Sequence, residues 1–261
     1  MKSFVKAIIA GCCIIFIGII ILVIALGLNG WTLRLHFSTE EFNSEQEINK
    51  VVVDKSVGSM KINYYDGDKI QIFYPTSNNY EVSVKYDDGC VRVTSRRPKW
   101  FEFSIWLAHI PETVINLPKD TTFELDLTVN AGSLRIQEGQ YSKVRITVNA
   151  GSLRANNIEC DTFNAKVNAG SMNINNITCH TSFKGEVNAG SLNAKNVICP
   201  TITAEVSAGS LNMTVKGIEA EYNISAHVSA GSSNLRSKSG TTDKKITANV
   251  SAGSLNVSFT S

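Results

Sequence analysis

The sequence predicts an all-β fold: a parallel β-helix (β-solenoid) of about seven three-sided rungs of 19–22 residues, preceded by an N-terminal transmembrane helix. Three observations predict it. A six-residue pattern, V-[N/S]-A-G-S-x, recurs at nearly constant spacing, which indicates a repeat architecture. Apolar and polar residues alternate around it with the two-residue period of a β-strand. A separate uncharged stretch near the amino terminus is long enough to cross a bilayer.

The repeat occurs seven times, in steps of 19, 19, 20, 19, 22 and 22 residues. The copies begin at Val129, Val148, Val167, Val187, Val206, Val228 and Val250. Residues 57–62, with the sequence VGSMKI, form a weaker copy and predict a diverged first coil. One rung cannot bury its own apolar face, so we expect the copies to stack.

The third copy predicts three corners in each coil. Its apolar residues alternate from Phe163 to Ala169, and the alternation then slips by one residue at Gly170-Ser171, at Asn175-Asn176 and just before Phe183. Each slip predicts a corner, because successive side chains of a strand point to opposite faces. Gly and Asn suit such corners because both tolerate a left-handed backbone.

Stacking in register predicts continuous columns of like residues. Three columns should point inward: Val148, Val167, Val187 and Val206; Ala150, Ala169, Ala189 and Ala208; and Leu153, Met172, Leu192 and Leu211. The repeat glycines should form one structural corner: Gly132, Gly151, Gly170, Gly190, Gly209, Gly231 and Gly253.

Cys160, Cys179 and Cys199 each lie nine residues after a repeat glycine and should stack at an inward corner. A metal site would need a Cys-x-x-Cys type of spacing, which is absent here. A disulfide between neighbouring rungs is geometrically feasible in an oxidising exterior. We favour small buried apolar residues, with Cys90 as a lone fourth thiol.

Two polar columns need the same care. The repeat asparagines and the serines that continue them should form a hydrogen-bonded structural ladder: Asn130, Asn149, Asn168, Asn188, Ser207, Ser229 and Ser251. A second polar column shares one outward phase and consists of Lys166, Glu186, Glu205 and His227. These residue types allow acid–base chemistry, but we favour a solvated ladder of ion pairs.

Composition and motifs exclude several function classes. The chain carries 25 basic and 23 acidic residues, which is too near neutrality for a dedicated nucleic-acid binder. It has no phosphate-binding glycine loop, zinc-ligand spacing or Ser-His-Asp order at a suitable turn. We therefore predict no enzyme activity, no catalytic residue, no cofactor and no bound metal.

Residues 7–28 carry no charge and, as a helix, would cross the roughly 30 Å hydrocarbon layer. The alternatives are a cleaved signal peptide, with small residues at 25–27, and lipoprotein processing at Cys12. Signal h-regions usually run about 7–15 residues, and little apolar sequence precedes Cys12, so we favour an uncleaved single-pass anchor. Lys2 and Lys6 precede the span, which predicts a cytoplasmic amino terminus and an extracellular C-terminal domain at the cell membrane.

These features divide the chain into five parts: residues 1–6, a cytoplasmic tail; 7–28, the transmembrane anchor; 29–46, a stalk; 47–128, an irregular β cap with the first coils; and 129–261, the regular repeats. The cap is expected because an open solenoid end exposes unpaired backbone and core.

Within the cap, one stretch mixes basic and aromatic side chains: Arg96, Arg97, Lys99, Trp100, Phe101, Phe103 and Trp106. Such a mixture suits contact with an anionic membrane or an envelope polymer. It equally suits a loop folded back over the end of the coil.

Together, four features of the chain resemble the putative-adhesin family of bacterial β-helix envelope proteins. They are the anchor, this basic–aromatic insertion, the stretch VINLPKD at 114–120 leading into FELDL at 123–127, and the serial AGS corners. The resemblance covers roughly residues 45–261. It implies a β-solenoid in the bacterial envelope and supplies no catalytic residues.

Three functions compete at this point. The first is a non-enzymatic binding or scaffold protein, an adhesin whose partner is a cell-wall polymer or a membrane protein. The second is an accessory of an envelope-stress signalling system. The third is a polysaccharide lyase or hydrolase, which needs clustered carboxylates. Apart from Glu186 and Glu205, the few acidic residues after Val129 are scattered between phases.

Overall fold

The computed structural model describes residues 16–24, 27–28, 37–44, 46–77, 80–95 and 110–260. In these ranges one sheet contains 17 strands. Their bounds are β1 (Ser38–Asn43), β2 (Lys50–Tyr65), β3 (Gln71–Thr76), β4 (Val82–Asp87), β5 (Cys90–Ser95), β6 (Thr113–Pro118), β7 (Phe123–Ile136), β8 (Gly139–Val148), β9 (Ser152–Val167), β10 (Ser171–Val187), β11 (Ser191–Ile198), β12 (Thr201–Val206), β13 (Ser210–Lys216), β14 (Tyr222–Val228), β15 (Ser232–Ser233), β16 (Lys244–Val250) and β17 (Ser254–Thr260). A short 3-10 helix spans Glu219–Glu221.

The middle of the chain stacks in parallel and in register. β9 pairs with β10, so that Val167 lies beside Val187 and Leu153 beside Met172. The next strands continue both columns, with Val187 beside Val206. The fold is therefore mostly β, with a long and largely parallel sheet, and is consistent with a β-solenoid.

The core consists of the inward columns. The valine and leucine columns are buried along their whole length, which confirms those two predictions. Phe163 and Phe183 stack inside the coil with ring centroids 5.7 Å apart. The predicted inward alanine column is wrong: Ala169 and its equivalents are exposed. The alternation slips directly after Val167 rather than at Gly170, so the alanine points outward.

The repeat glycines are required by close approach. A Cβ on Gly170 would lie 2.2 Å from the carbonyl oxygen of Gly151 in the rung below. A left-handed backbone is not the reason, since none of the seven repeat glycines has a positive φ. It does occur at the asparagine corner, where Asn157, Asn176 and Asn196 have φ of 54°, 57° and 55°. The prediction of a left-handed backbone is therefore confirmed at the asparagine corner and wrong at the glycine corner.

At the carboxyl-terminal end, the rungs do not follow chain order. β12 pairs with β16, placing Val206 beside Val250. β16 pairs on its other edge with β14, placing Val250 beside Val228. The seventh copy is therefore inserted between the fifth and the sixth. Residues near Lys238 fold back over β14, with an antiparallel bridge from Ile224 to Lys238.

The amino-terminal end is permuted in a similar way. β2 pairs with β7 on one edge, with Gly58 beside Gly132, which confirms the diverged first coil. On its other edge β2 pairs with the later strands β5 and β6. Three antiparallel pairings complete this end: β4 with β5, β3 with β1, and β3 with β6. β1 falls in the range expected to be a stalk, so this part of that range belongs to the sheet.

The predicted anchor is only partly described. Residues 16–24 and 27–28 are helical, and their large apolar side chains are exposed, Leu28 by 85%. Within the described ranges, no helix combines the length and the apolar character that a membrane crossing requires.

Candidate functional site

Two long outward faces of the stacked rungs flank the glycine corner, and these are the candidate binding surfaces. The ion-pair face consists of the outward side chains of residues 50–54, 124–128, 143–147, 162–166, 182–186 and 201–205, which precede the glycine corner. The serine face consists of the outward side chains of residues 59–63, 133–137, 152–156, 171–175, 191–195, 210–214 and 254–258, which follow it. Alternating burial along each strand separates these outward positions from the core.

On the ion-pair face, charges of opposite sign meet between neighbouring rungs. Among the described residues of this face, four bridges connect neighbouring rungs: Arg145 to Asp126 at 2.8 Å, Lys166 to Glu186 at 2.5 Å, Lys184 to Glu205 at 2.9 Å and Lys50 to Glu124 at 3.2 Å. A fifth joins Lys184 to Glu186 within one rung at 3.9 Å. All eight side chains are partly exposed, so each pair contributes at most about 1 kcal/mol. This face is a ladder of solvated ion pairs.

The column considered for acid–base chemistry is part of this ladder. Glu186 lies beside both Lys166 and Glu205. His227 is separated from Glu205 by Asn249, because the last two copies are stacked out of chain order. The structure therefore brings three of the four residues together and holds their carboxylates in ion pairs.

The repeat asparagines form the predicted ladder at the corner. Each Nδ2 donates to the Oδ1 of the rung below, over 2.6 Å from Asn149 to Asn130, 2.6 Å from Asn168 to Asn149, and 2.7 Å from Asn188 to Asn168. The column ends on Asp54, which accepts from Asn130 over 2.8 Å. These amides satisfy one another, which is a structural role.

The serine face carries a basic column that the repeat pattern did not single out. Lys61 lies beside Arg135, and Arg135 lies beside Arg154. Arg135 and Arg154 are exposed and Lys61 is half-exposed. None of the three makes a salt bridge to another residue of the described ranges. The sequence did contain a signal for this column, because each of the three cations lies two residues after the serine that follows the corner glycine.

Asparagines extend the same column through the later rungs. Asn173 follows Arg154, and then come Asn193, Asn212 and Asn256. Nδ2 of Asn193 donates to Asn173 over 3.2 Å, and Nδ2 of Asn212 donates to Asn193 over 3.0 Å. The column thus changes from cationic to amide along one straight line.

The cysteines stack inside the coil as expected. The sulfur atoms of Cys160 and Cys179 lie 3.8 Å apart, and both residues are buried together with Cys199. These three and Cys90 are free thiols. Hydrogen bonding to the neighbouring thiols and burial raise the pKa of Cys179. The described residues contain no group of metal-ligating side chains.

Lys55 is a buried cation that the sequence reasoning missed. It is 4% exposed at the amino-terminal end of the stack, and its Nζ donates to Oγ1 of Thr113 over 2.9 Å. Burial lowers the pKa of Lys55 to about 8, partly opposed by the charge of Glu112. Lys55 pairs with Val129 and so occupies the repeat-valine position of the diverged first copy, three residues before Gly58. That position was the available sequence signal for its burial.

The basic–aromatic stretch lies outside the described residues. This applies to every residue proposed there as a membrane or polymer contact: Arg96, Arg97, Lys99, Trp100, Phe101, Phe103 and Trp106. That interpretation stays a prediction.

Several solved structures resemble this chain at low identity. A putative adhesin from Parabacteroides distasonis has 12% identity and a TM-score of 0.47, with 86% of this chain and 99% of the other covered. A putative adhesin from Parabacteroides merdae has 14% identity and a TM-score of 0.47, with coverage of 86% and 98%. A putative lipid binding protein from Parabacteroides distasonis has 12% identity and a TM-score of 0.46, with coverage of 86% and 98%.

Comparison with proteins of curated function found no significant match. A family model does match, over residues 48–261, which is nearly the whole range assigned to the resemblance above. That match takes in the cap, the diverged first coil and all seven repeats. The chain belongs to the Toastrack DUF4097 family.

Proposed function

We propose that this chain is a non-enzymatic binding or scaffold protein of the bacterial cell envelope, an adhesin-type module. The observation that carries the proposal is the pair of long outward faces, on which polar side chains recur at every rung. Parallel strands lie about 4.8 Å apart, so each face offers a regular row of contacts. Such a row suits an extended, repetitive ligand better than a small molecule.

The proposal includes a place for the protein. A single-pass anchor at residues 7–28 would hold the solenoid on the extracellular side, with the amino terminus in the cytoplasm. The uncharged sequence and the basic residues before it support this arrangement. So do the exposed apolar side chains of the helical residues 16–24, which need an apolar environment.

An enzymatic role has less support. Polysaccharide cleavage needs carboxylates that are free to act as acid, base or nucleophile. Glu186 and Glu205, the best-placed pair, both face cations at close range on an open surface. With each carboxylate engaged by a lysine, this pair does not meet that requirement.

The experiment incubates the full-length protein, purified in detergent, with isolated cell-wall material and then separates bound from free protein by centrifugation. We expect co-sedimentation without release of reducing sugar. Release of sugar above a boiled-protein control would overturn the non-enzymatic assignment. Protein remaining in the supernatant at all wall concentrations would overturn wall binding and favour an accessory role in envelope signalling.

A further inference from the structure

We propose that the column of Lys61, Arg135 and Arg154, continued by the asparagines of the serine face, binds a linear, hydroxyl-bearing polyanion. Phosphodiester polyols and carboxylated glycans share this chemistry. The inference rests on the proposed binding function and names its ligand class and site. The asparagines are Asn173, Asn193, Asn212 and Asn256.

The cations of the two faces differ in whether they have a carboxylate partner. Arg145, Lys166 and Lys184 on the ion-pair face each meet a carboxylate within 3 Å. Lys61, Arg135 and Arg154 stand in adjacent rungs of the same solenoid with no such partner among the described residues. Stacked like charges repel, so this column is unfavourable by itself and gains from an external anion.

Glu112, which adjoins the strand beside Lys61, does not neutralise the column. Glu112 directly precedes Thr113, which pairs with Met60 beside Lys61. The charge of Glu112 acts on buried Lys55, and Glu112 makes no salt bridge within the described ranges. On the other side of the column, Arg154 is followed by neutral Asn173. The three positive charges therefore remain available.

The spacing of the rungs along the column also fits a linear polymer. Rungs about 4.8 Å apart place three cations over about 10 Å, and the four following asparagines extend the line to about 29 Å. Arginine can bind a phosphate or carboxylate through two parallel hydrogen bonds, and amides can bind hydroxyl groups. A polymer that alternates anions with hydroxyls can use both parts of the line.

The neighbouring column favours such a polymer over a lipid surface or a nucleic acid. The residues beside the cations are serines, and Ser133 and Ser59 share a hydrogen bond of 2.9 Å. A bilayer contact is usually strengthened by exposed aromatic or apolar side chains, and single-stranded nucleic acid by stacking aromatics. The outward positions of rungs 133–137 and 152–156 hold only Ser, Arg, Gln and Asn.

The test compares two triple variants of the full-length protein. K61N/R135N/R154N removes the column and extends the asparagine ladder that the next rungs already contain, so the fold should persist. R145N/K166N/K184N removes the same number of positive charges from the ion-pair face. Circular dichroism first checks that both retain β structure. Binding is measured against polyglycerol phosphate and polygalacturonate, with neutral dextran as the control.

We expect the column variant to lose at least about tenfold in affinity for the bound polymer, because charge-assisted contacts are lost, and the ion-pair variant to stay within about twofold. Added salt should weaken wild-type binding through screening. Binding of polyglycerol phosphate alone identifies phosphodiester as the anion, and binding of polygalacturonate alone identifies carboxylate. Either result supports the site.

If both variants lose the same affinity for the polymer, net charge alone explains the binding and the proposal is overturned. Tighter binding to phosphatidylglycerol vesicles or to single-stranded DNA than to either polymer would also overturn it. Failure of the proposed function looks different. In that case wild-type protein sediments with no wall fraction at all. If the column variant sediments with walls as well as wild type does, the binding function stands and this site is wrong.

Discussion

The middle of the solenoid and its two ends use the same repeat differently. From β7 to β13, successive copies stack in chain order, at steps of 19 or 20 residues. At the carboxyl-terminal end, the seventh copy lies between the fifth and the sixth. At the amino-terminal end, β2 lies between β7 and the later strands β5 and β6.

The difference teaches that the repeat specifies how rungs pair but not which rung pairs with which. Any copy offers the same valine, glycine and leucine positions, so any copy fits beside any other. The two steps of 22 residues coincide with the permuted carboxyl-terminal end, whereas steps of 19 or 20 residues join rungs that stack in chain order. Both permuted ends also carry an antiparallel segment across an outer edge, which limits edge-to-edge association.

The largest predicted effect concerns the aromatic core of the middle. Phe183→Ala should lower the free energy of unfolding by about 4 kcal/mol, because a fully buried ring that stacks on Phe163 is replaced by a cavity. Phe259→Ala is the matched variant in a late rung, where the ring is only partly buried. Urea denaturation should show a much smaller loss of unfolding free energy for Phe259→Ala than for Phe183→Ala. Equal losses would contradict the claim that the core is packed more tightly in the middle of the solenoid than in the late rung.

The second prediction concerns the glycine corner. Gly170→Ala should cost about 3 kcal/mol, since its Cβ meets a backbone oxygen with a rung on either side. Gly231→Ala creates the same clash with Gly253, but in the last rung of the stack, which has a repeat rung on only one side. Thermal unfolding should show a clearly smaller loss for Gly231→Ala; similar losses would mean that the last rung is held as tightly as the middle.

The third prediction uses the buried cation of the amino-terminal end. The folded pKa of Lys55, about 8, lies below its ordinary value of 10.5. The unfolded chain therefore binds the extra proton between these values, and wild-type stability gains from Lys55 as pH rises through that window. Below pH 8 the buried charge costs stability on the order of 3 kcal/mol.

Lys55→Met removes this charge. The variant should be more stable than wild type at pH 7, with the difference shrinking towards pH 10, as measured by urea denaturation at several pH values. Lys61→Met, on the surface of the same strand, is the control and should show no such trend. A difference for Lys55→Met that stays constant across the window would contradict the buried-charge account.

The smallest effect belongs to the ion-pair face. Lys166→Ala breaks a partly exposed pair with Glu186 and should change the free energy of unfolding by less than about 1 kcal/mol. A loss above 2 kcal/mol in low salt would indicate that the ladder acts as a cooperative network. Repeating the measurement in 1 M salt should remove most of the difference.

Much of the fold follows from the sequence, because burial depends on local alternation. The columns through Val167 and Met172 and the left-handed corner at Asn176 were predictable in this way. The alanine column was not, since the position of the slip depends on how closely glycine backbones approach. The rung order was not either, because identical copies do not encode their neighbours.

The candidate site was predictable only in part. Alternation places Arg135 and Arg154 outward, but their lack of a counter-charge depends on which residues the stacking brings beside them. His227 illustrates the same limit: its phase is right, yet Asn249 separates it from Glu205. Register across rungs is tertiary information.

The central claim, in-register stacking with a permuted end, can be tested by cross-linking. Glu205→Cys is combined either with Asn249→Cys, its neighbour in the next rung, or with His227→Cys, two rungs away. A short thiol-bridging reagent and mass spectrometry of tryptic peptides then identify the bridge. We predict rapid bridging of 205 with 249 and little of 205 with 227. Preferential bridging of 205 with 227 would contradict the account.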